Sequence, residues 1–150
     1  IAAMVERIFR QADRFDDSAT VGVIVPYRNQ IATLRNAIDR YGIPALHSIT
    51  IDTVERFQGS QRDYIIYGLT VQQRCQLNFL TDNVFEEDGT LIDRKLNVAM
   101  TRARKHLTIV GNPDILAGSA VYRRLMDFMK SRGCYFNVAC EKFCAGDFSV

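Results

Sequence analysis

The sequence predicts an α/β domain: a parallel sheet with helices on both faces. Three observations carry this. Short apolar runs rich in β-branched residues recur, amphipathic segments of helical period lie between them, and Gly, Pro or Asp residues punctuate the joints. In such sheets ligands gather beyond the carboxyl ends of the strands, so the residues that follow each strand are where chemistry is sought first.

Residues 1–14 place Ile1, Val5, Ile8, Phe9 and Ala12 at helical spacing, and Asp16-Asp17-Ser18 breaks the pattern. VGVIV at 21–25 is a buried strand closed by Pro26. Helical period returns from Tyr27 to Tyr41 through Ile31, Leu34 and Ile38, and Gly42-Ile43-Pro44 stops it. A second strand is expected near 49–51, a third near 64–70 and a fourth near 106–110. Residues 72–92 are polar, mixed and long for a connection, so they read as an inserted loop. A helix is expected over 93–105. On a helical wheel, Leu96, Ala99, Met100, Ala103 and Leu107 share an arc of roughly 100° facing the core. Arg94, Asn97, Thr101, Arg102 and Lys105 point elsewhere. Asn112-Pro113-Asp114 opens a short helix, Val121–Lys130 is a further one capped by Gly133, and Tyr135–Val138 reads as an edge strand.

The 150 residues suit one domain, 47% hydrophobic and 24% charged, an ordinary soluble composition. No stretch approaches the ~20 apolar residues of a membrane span, and no membrane partner is expected. The chain starts on Ile1 in mid-helix, as a piece of a longer polypeptide would. Cys134, Cys140 and Cys144 lie close together, so a metal site has to be weighed. Their spacing contains no CxxC pair and neither His47 nor His106 is near, which favours reduced thiols of a cytoplasmic protein over a metal site. The net charge is only +2, but Cys75–Asp93 carries five acids and no Lys or Arg, while Arg94–Pro113 carries five cations and no acid. A basic strip beside an acidic one either presents an anionic ligand with a directed surface or is two solvated faces.

Three segments near strand ends are unusual: Pro26-Tyr27-Arg28-Asn29-Gln30, Asp52-Thr53-Val54-Glu55-Arg56-Phe57-Gln58-Gly59, and Leu96-Asn97-Val98-Ala99-Met100-Thr101-Arg102-Ala103-Arg104. Together, in order and spacing over residues 21–116, they resemble motifs IV, V and VI of superfamily 1 helicases, in the branch that contains the nonsense-mediated-decay RNA helicase and related replication and repair helicases. The resemblance implies a RecA-like fold of the P-loop NTPase type and an ATP- and Mg-dependent motor acting on single-stranded DNA or RNA. It implies that Arg102 is an arginine finger reaching the γ-phosphate, a role suited to a permanently charged, forked donor. Gly59, Gln61 and Arg104 join Arg102 on the ATP side, with Arg104 a structural or coupling partner. Pro26, Tyr27, Arg28, Thr53 and Gln58 fall on the nucleic-acid side, where the uncapped start of a helix after Tyr27 would offer N–H groups to phosphate. Thr53 could equally be a helix N-cap, the cations could be a solvated face, and Phe57 reads as core. Two departures from the family pattern are Val25, where relatives often have Thr, and Gln61, where they often have a Glu that binds ribose.

No Gly is followed by Lys, so the chain has no Walker A loop, and Glu86-Glu87-Asp88 does not end a buried strand as a Walker B acid would. The expectation is half an active site, with the ATP-gripping N-terminal RecA-like domain upstream on the same polypeptide. The competing expectation is a non-catalytic RecA-like module that binds nucleic acid or protein.

Overall fold

The computed structural model describes residues 1–57 and 59–138. Four strands form one parallel sheet in the order β2-β1-β3-β6: β1 (Val21–Val25), β2 (Thr50–Thr53), β3 (Arg62–Leu69) and β6 (Ala103–Gly111). The four strands expected for the parallel sheet form, and β6 starts three residues earlier than expected.

Both faces are covered. Val21, Val23 and Val25 point to one side, where α1 (Ala2–Gln11) and α2 (Asn29–Asp39) pack with Ile38, Leu46 and Ile66. Ile24 points to the other side, into a second core with Ile65, Tyr67, Leu69, Leu96 and Tyr122. That side is covered by α3 (Arg74–Leu80), α4 (Arg94–Met100), α5 (Pro113–Leu116) and α6 (Ala120–Ser131). Phe57 is fully buried, as expected, and its ring lies so close under Gly22 that a β-carbon there would sit 2.8 Å from it.

The segment 72–92 is not a plain loop. Gln73 and Gln76 form a reciprocal capping box at the start of α3. The antiparallel pair β4 (Val84–Glu87) and β5 (Thr90–Asp93) follows, closed by Asp88-Gly89 with φ of 50° and 73°. Two consecutive positive φ values are the two-residue hairpin turn that Asp-Gly favours.

The helix expected over 93–105 ends at Met100. Pairing of β6 with β3, from Arg62 opposite Ala103 onward, draws the chain into a strand despite the helix propensity of its Ala, Arg and Lys residues. The wheel therefore holds only for Leu96 and Ala99, which are buried. Met100 is 45% exposed, and Ala103 and Leu107 face the second core from a strand. Residues 135–138 form no strand. Gly133 ends α6 with φ +68°, as a helix-terminating glycine does.

Candidate functional site

The expected site residues fall into two groups at opposite edges of the sheet. At the carboxyl ends of β1 and β2, Pro26, Tyr27, Arg28 and Thr53 line one cleft together with Asn29, Glu55, Phe79 and Lys95. Its volume is about 480 Å³, within the roughly 300–1,000 Å³ usual for ligand clefts. The start of α2 beside Arg28 has no side-chain cap, and the Gln30 and Ile31 N–H groups donate to the Tyr27 and Arg28 carbonyls at 3.1 Å each. Thr53 is the last residue of β2 and is buried. Its carbonyl accepts the N–H groups of Arg56 and Phe57, giving a single helical turn in place of the helix its sequence suggests.

Tyr27 is committed largely to the protein itself. Its hydroxyl donates to the Gln76 carbonyl at 2.8 Å, and its ring stacks on Phe79 with centroids 5.5 Å apart. Burial, with smaller contributions from Cys75 and Asp82, raises its pKa, so it stays an O–H donor. The outward aromatic surface belongs to Phe79, 55% exposed, with the Lys95 ammonium 5.3 Å from its ring centroid. Lys95 also pairs with Asp82 at 3.2 Å. Burial raises the Glu55 carboxyl, but its own backbone N–H, the Thr53 hydroxyl, Lys95 and Arg28 outweigh that and leave it below the usual value. Phe79, Lys95 and Glu55 were not among the expected site residues. The signal for Phe79 was a lone aromatic in the polar stretch NFLTDN.

The second group lies at the amino edge of β3 and β6, ahead of the strands and not after them as the general rule for such sheets suggests. Here motif V meets motif VI. The Arg62 N–H donates to the Arg102 carbonyl at 3.0 Å, the Gln61 amide to the Thr101 carbonyl at 3.3 Å, and the Arg104 guanidinium to the Gln61 carbonyl at 3.1 Å. Asp63 pairs with Arg104 at 3.7 Å and with Lys105 at 2.7 Å, and its hydrogen bond raises the Lys105 pKa. Arg104 and Gln61 are thus both bonded across the joint between the two segments.

Arg102 occupies the turn after α4, not the helix itself. Its Nε donates to the Val98 carbonyl at 3.2 Å and its Nη2 to the Thr101 hydroxyl at 3.0 Å, so the guanidinium folds back on the negative end of its own helix. Gly59 adopts φ +83° with open space where a β-carbon would stand, so the position calls for positive φ more than for steric clearance. It lies in the connection that carries the chain from the carboxyl end of β2 to the amino end of β3. Gln58 lies outside the described residues, as do Cys140 and Cys144. Cys75 and Cys134 are exposed free thiols, and no group of potential metal ligands occurs among the described residues.

A four-stranded parallel sheet covered on both faces, a cleft at its carboxyl edge and the joined motif V and VI segments define a RecA-like α/β domain. A family model described as AAA domain matches residues 1–114. Helicase sen1 of Schizosaccharomyces pombe is 34% identical over 86% of this chain and 7% of its own length. Helicase SEN1 of Saccharomyces cerevisiae is 32% identical over 93% of the chain and 6% of its own length. The Regulator of nonsense transcripts 1 homolog of Drosophila melanogaster is 36% identical over 75% of the chain and 9% of its own length. The chain belongs to this family and is a RecA-like domain of the superfamily 1 helicase type, resembling the nonsense-mediated-decay branch. It spans less than a tenth of the length of each of these three relatives.

Proposed function

We propose that this chain is the second, C-terminal motor domain of an ATP-dependent helicase, supplying an arginine finger and part of a single-strand binding surface. The observation that carries the reading is the hydrogen-bonded joint of Gln61 and Arg62 with Thr101 and Arg102. It ties the turn that leaves the cleft to the segment bearing Arg102, whose guanidinium makes no ion pair among the described residues. A grip on a strand in the cleft and a charge offered to a phosphate are then mechanically connected.

ATP with Mg would supply a phosphoryl group and the cation that neutralises it. Arg102, bonded only to neutral oxygens of its own helix end, fits an anionic phosphate that would replace them. The carboxylates that would hold Mg and the loop that would cradle the phosphates are assigned to an N-terminal RecA-like domain of the same polypeptide. This chain's share is to stabilise charge with Arg102, brace the finger through Arg104 and Gln61, and keep Gly59 in the turn between the two edges. On the strand side, the Arg28 guanidinium meets phosphates, and Pro26, Tyr27 and Thr53 shape the cleft. Gln58 adjoins them in sequence. Phe79 offers a ring to a base, and such stacking is sequence-tolerant. The Drosophila relative's name refers to transcripts, which favours RNA over DNA.

The test is steady-state ATPase of the full-length protein with saturating single-stranded RNA. Arg102→Ala is expected to abolish turnover while strand binding persists. Near-normal turnover, or a loss that follows the melting temperature alone, would refute the finger. The chain would then be better described as a non-catalytic binding module.

A further inference from the structure

Asp93 is the only acid buried among the described residues, at 2% exposure. It ends β5 and caps α4: Oδ1 accepts the Leu96 N–H at 3.0 Å, while Oδ2 accepts the Tyr122 hydroxyl at 3.1 Å. An N-cap needs no burial, and burying a polar group is costly unless it is bonded. The Tyr122 bond therefore calls for an explanation beyond capping. It joins the hairpin, the motif VI helix and α6 at one point. Burial raises the Tyr122 pKa well above its ordinary value, so it remains a donor. Tyr67 is buried in the same cluster, its hydroxyl next to that of Tyr122.

The far end of α4 is where Thr101 and Arg102 leave the helix. Seven residues make a rod of roughly 10 Å, so a tilt of about 10° at Asp93 moves that end by nearly 2 Å. A displacement of about 1 Å at a reacting group costs on the order of 10² in rate.

We infer that Asp93 is a positioning residue for Arg102: clamped between the Tyr122 hydroxyl and the first turn of α4, it sets the axis of the helix that presents the finger. The inference rests on the proposed role of Arg102.

The test uses the full-length protein with saturating single-stranded RNA and an ATP titration, at a temperature well below every variant's melting midpoint. Asp93→Ser keeps an N-cap but is too short to reach Tyr122, and Tyr122→Phe breaks the same bond from the other side. Each is expected to lower kcat about tenfold or more, with KM for ATP and strand affinity unchanged. The double variant should lose no more than the worse single one, because both remove one interaction. Asp93→Asn keeps the cap through Oδ1 and holds Tyr122 by a reversed bond, Nδ2 donating to the hydroxyl oxygen, and should restore turnover. Ile65→Val, which trims the same core and leaves the Asp93–Tyr122 bond intact, should turn over as the parent does. Normal kcat in Asp93→Ser and Tyr122→Phe, beside an inactive Arg102→Ala, would overturn the inference and leave the finger standing. Equal losses in Ile65→Val and Tyr122→Phe would overturn it as a plain packing effect. Full turnover in Arg102→Ala would remove its basis altogether.

Discussion

At the scale of the residue, Arg102 rests on the Val98 carbonyl and the Thr101 hydroxyl, two neutral acceptors at a half-exposed helix end. Losing bonds of that kind changes stability by about 0.5 kcal/mol or less, whereas arginine fingers contribute roughly 10³–10⁵ in rate. Arg102→Ala should therefore melt as the parent does. Arg102→Lys should also fail in turnover, because an ammonium cannot offer parallel forked donors. Equal ATPase rates for Arg102→Lys and the parent would show that only a point charge is needed. Gly22 carries the opposite expectation, all stability and no chemistry. A methyl group there would collide with the buried Phe57 ring, which β1 and β3 hold in place. Overpacking of this kind costs about 1–3 kcal/mol, so Gly22→Ala should lower the melting midpoint, read by circular dichroism, with residual activity tracking the folded fraction.

At the scale of the element, α3 depends on Tyr27. The hydroxyl bond to the Gln76 carbonyl and the stack on Phe79 are what bind it to the end of β1. Tyr27→Phe keeps the stack and removes one bond worth about 1 kcal/mol. Amide exchange across residues 74–80 should accelerate while strand affinity holds; a large fall in affinity with unchanged exchange would put the hydroxyl on the nucleic acid after all. The hairpin has its own weak point in Gly89, at φ +73°. A residue with a β-carbon in that conformation pays about 1–2 kcal/mol, so Gly89→Ala should loosen β4 and β5 selectively, seen as faster exchange at Phe85 and Leu91 with the parallel sheet unaffected.

At the scale of the whole molecule, the strand cleft and the cationic joint lie at opposite edges of the sheet, with the segment from Thr53 to Arg62 running between them. If phosphate ligands and magnesium carboxylates come from another domain, residues 1–150 alone should show no ATP hydrolysis above background. Their binding to single-stranded RNA should be weak and fall with added salt, log affinity against log salt having a shallow slope of about −0.7 per phosphate contacted. Robust ATPase from the isolated chain, or salt-insensitive binding, would contradict this division of labour.

The sequence by itself determined the parallel α/β class, the order of the strands along the chain, the burial of Phe57 and the family, because these are written in local runs: VGVIV, DYIIYGL and HLTIV for the strands, PYRNQ and TRAR for the motifs. The Asp-Gly turn was also legible locally, since that dipeptide favours consecutive positive φ values, although 72–92 reads as a loop on polarity alone. Only the tertiary structure decided where α4 ends, because the stop comes from pairing with a strand some forty residues earlier. It alone decided that the Tyr27 hydroxyl is taken up by Gln76, 49 residues on, and that Asp93 is a buried clamp between a helix and Tyr122, 29 residues away. Periodicity reports what each residue's neighbours in sequence require. A hydrogen bond or a ladder partner supplied from a distant segment leaves no mark on that pattern, and those contacts hold the two edges of this domain in place.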